Sequence, residues 1–260
     1  MIGRLGLLIL LLCSACSGCI APIDEIIPEP HGVPGGLVLA CLDGGRFTSM
    51  VVEVDHAPDI EPNPSALALL EERLEEVCEK PEGIQIEVQS TAFGDAGSWT
   101  ADRVRTEGRT HRGADAMNGT QLRWHVLYPS GAYEDESVLG VAVDASTVAI
   151  FQETVEESEG FLGRPSAEEV ERSVLIHEIG HLLGLVNAVY TSPHDHEDPD
   201  HPGHSNNDQS VMYWQVESTS VRSFLTGSIP DAFDDEDLDD LERLGDGRLE
   251  ASDQLWLPAA

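Results

Sequence analysis

Residues 177–187 read His-Glu-Ile-Gly-His-Leu-Leu-Gly-Leu-Val-Asn, and no other stretch restricts the fold so tightly. Positions i and i+4 share one face of an α-helix, so the imidazoles of His177 and His181 can bind one metal ion only if this stretch is helical. Glu178 lies between them, where a carboxylate beside the metal can take a proton from water. The surrounding residues support a helix. Pro165-Ser166 precedes it, and Ser166 with Glu169 forms a capping-box pattern. Val170 and Val174 flank one side of the histidine face, while Leu175, Ile179 and Leu182 form a stripe on the other. Apolar residues on both sides predict a helix buried in its domain. Gly184 suits the left-handed turn that ends a helix. Gly180 costs about 1 kcal/mol against alanine at a mid-helix position, so close packing is expected there. Position 187, where a third histidine would be expected, is Asn187.

The region before the motif reads mainly as β. Met50–Val54, the alternating Ile84, Ile86 and Val88, and the alternating Leu122, Trp124, Val126 and Tyr128 predict strands. Val138–Val143 and Thr147–Phe151 are two more short apolar runs. Residues 65–78 predict a helix, with Leu67, Leu70, Leu74, Val77 and Cys78 on one stripe and glutamates opposite. After the motif the chain reads as irregular until the acidic run Asp231–Asp240, where Leu238, Leu241 and Leu244 recur at helical spacing before Gly245. The acidic residues suit a helix N-terminus and lack the Asp-x-Asp-x-Asp-Gly pattern of a calcium loop. There is no internal repeat. The fold class expected is α+β.

The chain has 260 residues, room for one domain with extensions, and a formal net charge of −34. So negative a surface repels phosphate, which excludes nucleic acid and anionic membrane surfaces as partners. The N-terminus reads as an export signal: one positive charge within Met1–Arg4, then an apolar run, Leu5–Leu12, too short to span a bilayer. Cys13-Ser-Ala-Cys-Ser-Gly-Cys19 resembles the lipobox of bacterial lipoproteins, in which small residues precede the cysteine that is lipidated. Cys16 follows Ser14-Ala15 and Cys19 follows Ser17-Gly18, although both have Cys where Leu is usual three residues upstream. Cys16 is better placed relative to the apolar run, and a plain cleaved signal peptide is the alternative. The expected organisation is a signal and lipobox over 1–19, a Pro/Gly-rich tether over 20–36, and one domain over 37–260 lipid-anchored to the outer membrane or cell surface. Cys41 and Cys78 then remain, either as a disulfide suited to an oxidising compartment or as two buried thiols.

Downstream of the motif lies Ser210-Val211-Met212-Tyr213-Trp214. Together with residues 177–184, Met212 resembles the metzincin metallopeptidases, whose pattern is His-Glu-x-x-His-x-x-Gly-x-x-His followed by a tight turn with a methionine beneath the metal. The resemblance implies a twisted mixed sheet with one antiparallel edge strand lining the cleft, an active-site helix and a C-terminal helix. It also implies a catalytic Zn²⁺ and a protein or peptide substrate. Asn187 departs from the pattern, since a carboxamide is a poor zinc ligand beside imidazole. The loop Ser192–Asp208 offers His194, His196, His201 and His204. In archaemetzincins, a branch of this clan, the third histidine is followed by Cys, four residues, Cys, one residue and Met. His204 has that spacing to Met212, with Ser205 and Ser210 in the cysteine positions. The resemblance thus implies His177, His181 and His204 as ligands, with His201 and His194 in reserve, and Glu178 as the catalytic residue. Asp195 or Glu197 is expected to orient an imidazole. Tyr213 is either a packed turn residue or an aid at the oxyanion. Two other functions fit the same residues: a non-catalytic metal-binding surface lipoprotein, and an inactive peptidase-like module that binds a partner. Replacing both Cys16 and Cys19 by serine is expected to release the protein from the membrane fraction, and retention as before would end the lipid-anchor reading.

Overall fold

Strand β1 (Ser49–His56) buries Met50, Val51, Val52 and Val54, and also Glu53 and Asp55. A strand without a solvent face belongs inside a sheet covered on both sides. In the computed structural model β1 pairs in parallel with β2 (Ile84–Ser90) and with β4 (Gln121–Tyr128). β4 continues in parallel to β6 (Thr147–Ile150), and β5 (Gly140–Ala142) closes that edge antiparallel to β6. The order is β2-β1-β4-β6-β5, with the short β3 (Met117–Asn118) paired to β4. The structure describes residues 32–94, 97–160, 163–223 and 229–252. The stretch read as an export signal, its cysteines and most of the expected tether lie outside the described residues.

Alternation along β4 sorts its side chains between two layers. Leu122, Trp124 and Val126 pack with Leu69, Leu70 and Leu74 of α2 (Pro64–Val77) and with Val170, Val174 and Ile179 of α5 (Ala167–Leu182). Leu127 faces the other way, with Ala149, Phe151, Trp99 and Val104, the last on α3 (Ala101–His111). Gly108 allows α3 to approach closely, because a Cβ there would lie 2.9 Å from Thr147 Cγ2. On that face His125 joins Asp55 (3.1 Å) and the Gly108 carbonyl (3.2 Å), tying α3 to two central strands. The fold is therefore α+β, with the motif helix on one face of a mixed sheet and α6 (Asp235–Gly245) at the C-terminal end.

The helix expected over 65–78 is α2, started by Asn63, whose side chain accepts from Ser65 N (2.9 Å). The acidic run is the N-terminus of α6, with Asp234 and Asp237 forming a reciprocal capping box. The strand expected over Val138–Val143 is shorter. Leu139 N–H turns outward to the Glu217 carbonyl (2.8 Å) and Val138 bridges Ser218, so only Gly140–Ala142 pairs with β6. Three helices, α1 (Val38–Leu42), α3 and α4 (Gln152–Glu157), have no counterpart in the sequence reading.

Cys41 at the end of α1 and Cys78 at the end of α2 are bridged, with Cα atoms 4.8 Å apart, which decides between the two readings of these cysteines. The neighbouring Lys80 ammonium donates to the carbonyls of Cys41 (2.7 Å) and Ala40 (3.0 Å), which α1 leaves without helical partners. Burial pushes that lysine down to about 8 despite Asp43 and Glu79. A Cys41→Ala/Cys78→Ala protein is expected to lose about 3–4 kcal/mol in equilibrium denaturation, the loop-closure contribution of a bridge of this span. A loss below about 1 kcal/mol would show that the bridge adds little.

Candidate metal centre

Helix α5 starts with the reciprocal capping box read from the sequence: Ser166 Oγ accepts from Glu169 N (3.2 Å) and the Glu169 carboxylate accepts from Ser166 N (2.8 Å). The helix delivers His177 fully buried, and its Nδ1 donates to the Val211 carbonyl (2.7 Å). That bond places the proton on Nδ1 and leaves the Nε2 lone pair facing His181 Nε2, 3.2 Å away. His204 comes from the loop. Its ring centroid lies 5.2 Å from that of His177 and 5.1 Å from that of His181. The structure thus brings together the three histidines that the sequence reading selected. Two donors on one tetrahedral zinc, with bonds of about 2.0–2.1 Å, stand roughly 3.3 Å apart, so the Nε2 pair is spaced as two ligands of one ion would be.

The methionine turn supports this arrangement directly. Met212 is fully buried, and a Cβ added at Gly180 would lie 2.2 Å from its sulfur. The mid-helix glycine is therefore required by the thioether packed against α5. Ser205 N–H donates to the Met212 carbonyl (2.8 Å), so the residue after His204 is fastened to the same turn. Tyr213 continues the turn with its ring 6.0 Å from that of Trp214.

Glu178 is almost wholly buried, and among the described residues neither of its carboxylate oxygens has a hydrogen-bond partner of good geometry. Burial, with Glu217 nearby, holds its carboxyl well above the ordinary carboxylate range. Gly140 of β5 makes room for it, since a Cβ there would lie 2.7 Å from Glu178 Oε1.

Glu217 is the residue that sequence reasoning missed. It ends the 3-10 helix Trp214–Glu217 just after the methionine turn, and its carboxylate lies 3.3 Å from His204 Nε2 and 3.7 Å from His177 Nε2. Together with His177, His181 and His204 it forms a group whose ligating atoms all lie within 4.8 Å of one another. Burial opposes its charge, but the hydrogen bonds and charges of His177 and His204 outweigh this and hold Glu217 below the ordinary range. Burial works against the protonated His204 too, and Glu217 raises it nonetheless. Burial, then the neighbouring imidazoles, push His181 well below the usual histidine range. In a chain with 48 acidic residues nothing marked Glu217 except its place one short turn beyond Met212.

The reserve ligands are engaged elsewhere. His201 stacks on Trp214 (4.1 Å between centroids) and meets Asp198 (3.2 Å), while His194 bonds Asp239 (2.7 Å). Asn187 has a positive φ of 66°. Its amide donates to Glu197 (2.8 Å) and its oxygen accepts from Ser192 N (2.6 Å), making it a clasp between the helix end and the loop. Glu197 is thereby occupied with Asn187 and Gly203 N, and Asp195 offers its backbone carbonyl to Asn206. The expectation that Asp195 or Glu197 orients an imidazole is thus corrected: the Val211 carbonyl does this for His177, and Glu217 faces His204.

The sequence matches no protein-family model and no curated protein. Among solved structures, it is similar to archaemetzincin from Methanopyrus kandleri at 14% identity, covering 76% of this chain and 96% of that one, with a TM-score of 0.47. It is also similar to metalloproteinase-II from Bacteroides fragilis at 13% identity, covering 75% of this chain and 52% of that one, with a TM-score of 0.42. Both likenesses are distant, and a shared fold does not carry a shared chemistry with it.

Gly180→Ala forces a methyl group into the Met212 sulfur. It is expected to destabilise the domain by about 1–3 kcal/mol, the usual range for overpacking a core. A melting temperature at or above that of the unmodified protein would show that the helix and the turn are not packed as described.

Proposed function

We propose that this chain is a zinc-dependent endopeptidase, exported and held at the bacterial cell envelope by a lipid. The observation that carries the reading is the convergence of His177, His181 and His204 beside a buried Glu178 that lacks a good hydrogen-bond partner. Neutral imidazoles suit zinc, and three of them leave one coordination position for chemistry. Zinc held there would polarise a peptide carbonyl and lower the pKa of water to about 7.

The chain's own groups supply the rest. Glu178 takes a proton from the attacking water as its oxygen bonds to the carbonyl carbon. It returns that proton to the amine nitrogen as the C–N bond breaks. An extended peptide laid beside the edge strand β5 would pass next to Glu178, because Gly140 of that strand touches its side chain. A signal sequence and lipidated cysteine at residues 1–19 would place this cleft outside the cytoplasm, facing protein or peptide substrates and not nucleic acid.

Glu217 supports a second reading. With four protein donors in one group the coordination shell can close, which suits an ion that is stored or structural. Mutations separate the two. Under the peptidase reading Glu178→Gln keeps zinc but loses about 10²–10⁴-fold in peptide hydrolysis. His204→Ala loses zinc and activity together, and Asn187→Ala leaves the metal content unchanged. Glu217→Ala keeps both zinc and hydrolysis. A wild-type protein that holds zinc, cleaves nothing in a broad peptide library, and loses the ion on Glu217→Ala would establish the storage reading instead.

A further inference from the structure

The histidine-rich loop has one member not yet accounted for. His196 is completely buried, and among the described residues neither of its ring nitrogens makes a hydrogen bond. It faces the first turns of α6, where Asp234, Asp237 and Asp240 recur every three residues and so share one face of the helix. Asp237 and Asp240 are also completely buried. Each has one oxygen held by a serine: Ser210 Oγ donates to Asp237 Oδ2 (2.8 Å) and Ser192 Oγ to Asp240 Oδ1 (2.9 Å). Their other oxygens, Asp237 Oδ1 and Asp240 Oδ2, lack hydrogen bonds and turn towards the imidazole.

The separations are informative. His196 Nδ1 stands 3.8 Å from Asp237 Oδ1 and 3.9 Å from Glu236 Oε2, and His196 Nε2 stands 3.4 Å from Asp240 Oδ2. Direct hydrogen bonds of this type fall at about 2.7–3.2 Å, so the two Nδ1 pairs are too wide to satisfy one another, and the Nε2 pair falls just outside that range. Donors that share a cation with bonds of about 2.0–2.2 Å stand roughly 3–4 Å apart. His196 Nδ1 and Asp237 Oδ1, 3.8 Å apart, meet that condition, and Asp234 joins them in a group whose ligating atoms all lie within 4.8 Å of one another. Four buried polar atoms, His196 Nδ1 and Nε2, Asp237 Oδ1 and Asp240 Oδ2, thus meet without a hydrogen bond, which costs stability unless another group satisfies them.

We propose that His196 Nδ1, Asp237 and Asp234 hold a second divalent transition-metal ion of the zinc class, with Asp240 accepting the His196 Nε2–H. The donor chemistry selects the ion: an imidazole with carboxylates suits zinc or a close relative better than magnesium or calcium. Asp240 takes the usual role of the carboxylate behind a ligating histidine, fixing ring and tautomer. Glu236 reaches the same nitrogen from the exposed side of α6. Asp234 already caps α6 and accepts from Asn207 (2.9 Å), and a carboxylate has lone pairs enough for both tasks. The ion would staple the loop to the C-terminal helix. His196 O accepts from Asn206 N (2.8 Å), two residues beyond His204, so the staple also anchors the segment presenting that imidazole. This site is independent of any metal at the His177–His181–His204 cluster.

The test is zinc stoichiometry of the full chain, by native mass spectrometry with Zn²⁺ as the only added metal. The wild-type chain should hold two ions. A His181→Gln/His204→Gln protein, disabled at the first cluster, should still hold one and melt higher when Zn²⁺ is added. Adding Asp237→Asn to that background should remove the last ion and the thermal response. Asp237→Asn alone should lower the count from two to one. A His181→Gln/His204→Gln protein that folds, binds no zinc and melts unchanged, or a wild-type count of one that Asp237→Asn leaves at one, would overturn the proposal and leave His196 as an ion-pair partner only.

Discussion

The hydrogen bond from His177 Nδ1 to the Val211 carbonyl is the interaction on which the site depends. It fixes the tautomer that turns a lone pair towards His181, and it joins the middle of α5 to the methionine turn. The neighbouring contact between Gly180 and Met212 acts across the same joint, so helix and turn are held by a polar and an apolar contact one helical turn apart. The turn in turn holds Ser205 through the Met212 carbonyl and Leu139 through the Glu217 carbonyl. One rigid junction therefore sets the helix, the loop bearing His204 and the approach to the edge strand. Loop-borne functional groups positioned by a rigid scaffold are what precise chemistry requires.

Charge gives the centre its second constraint. A chain with a net charge of −34 can place carboxylates almost anywhere on its surface, yet at the cluster it buries Glu178 and half-buries Glu217 beside three imidazoles. The two carboxylates are driven in opposite directions. Glu178, without a cationic partner, is raised by burial, while Glu217 is lowered by the histidines it faces.

Much of this was legible from the sequence because it depends on local patterns. The capping box, the apolar stripes and the terminal glycine are features of one continuous segment, and they marked α5 from Ser166 to Gly184. His204 was found through its spacing to Met212, which survives since both residues belong to one compact turn-and-loop unit. By contrast α3 buries only Val104 and Gly108 of its eleven residues, so no apolar stripe announces it. Glu217 was hidden for a different reason. Its role depends on the pairing of residues 217–219 with residues 137–139, about eighty positions away along the chain, and no local pattern encodes such a meeting.

Position 187, where the sequence pattern predicts a histidine, shows the same contrast between local and distant determinants. Val186 and Asn187 both have positive φ, a conformation that asparagine tolerates and a β-branched residue adopts only under constraint. The chain thus takes a left-handed turn at this point. Asn187 then spends both ends of its amide on holding the longer loop, through Glu197 and Ser192. Glu197 passes the restraint to Gly203 N, next to His204. Asn187 therefore stands outside the cluster and supports the loop that bears His204. A loop of this length is held in shape only if it is fastened at several points, and on the far side Ser192 Oγ to Asp240 (2.9 Å) and His194 to Asp239 (2.7 Å) fasten it to α6.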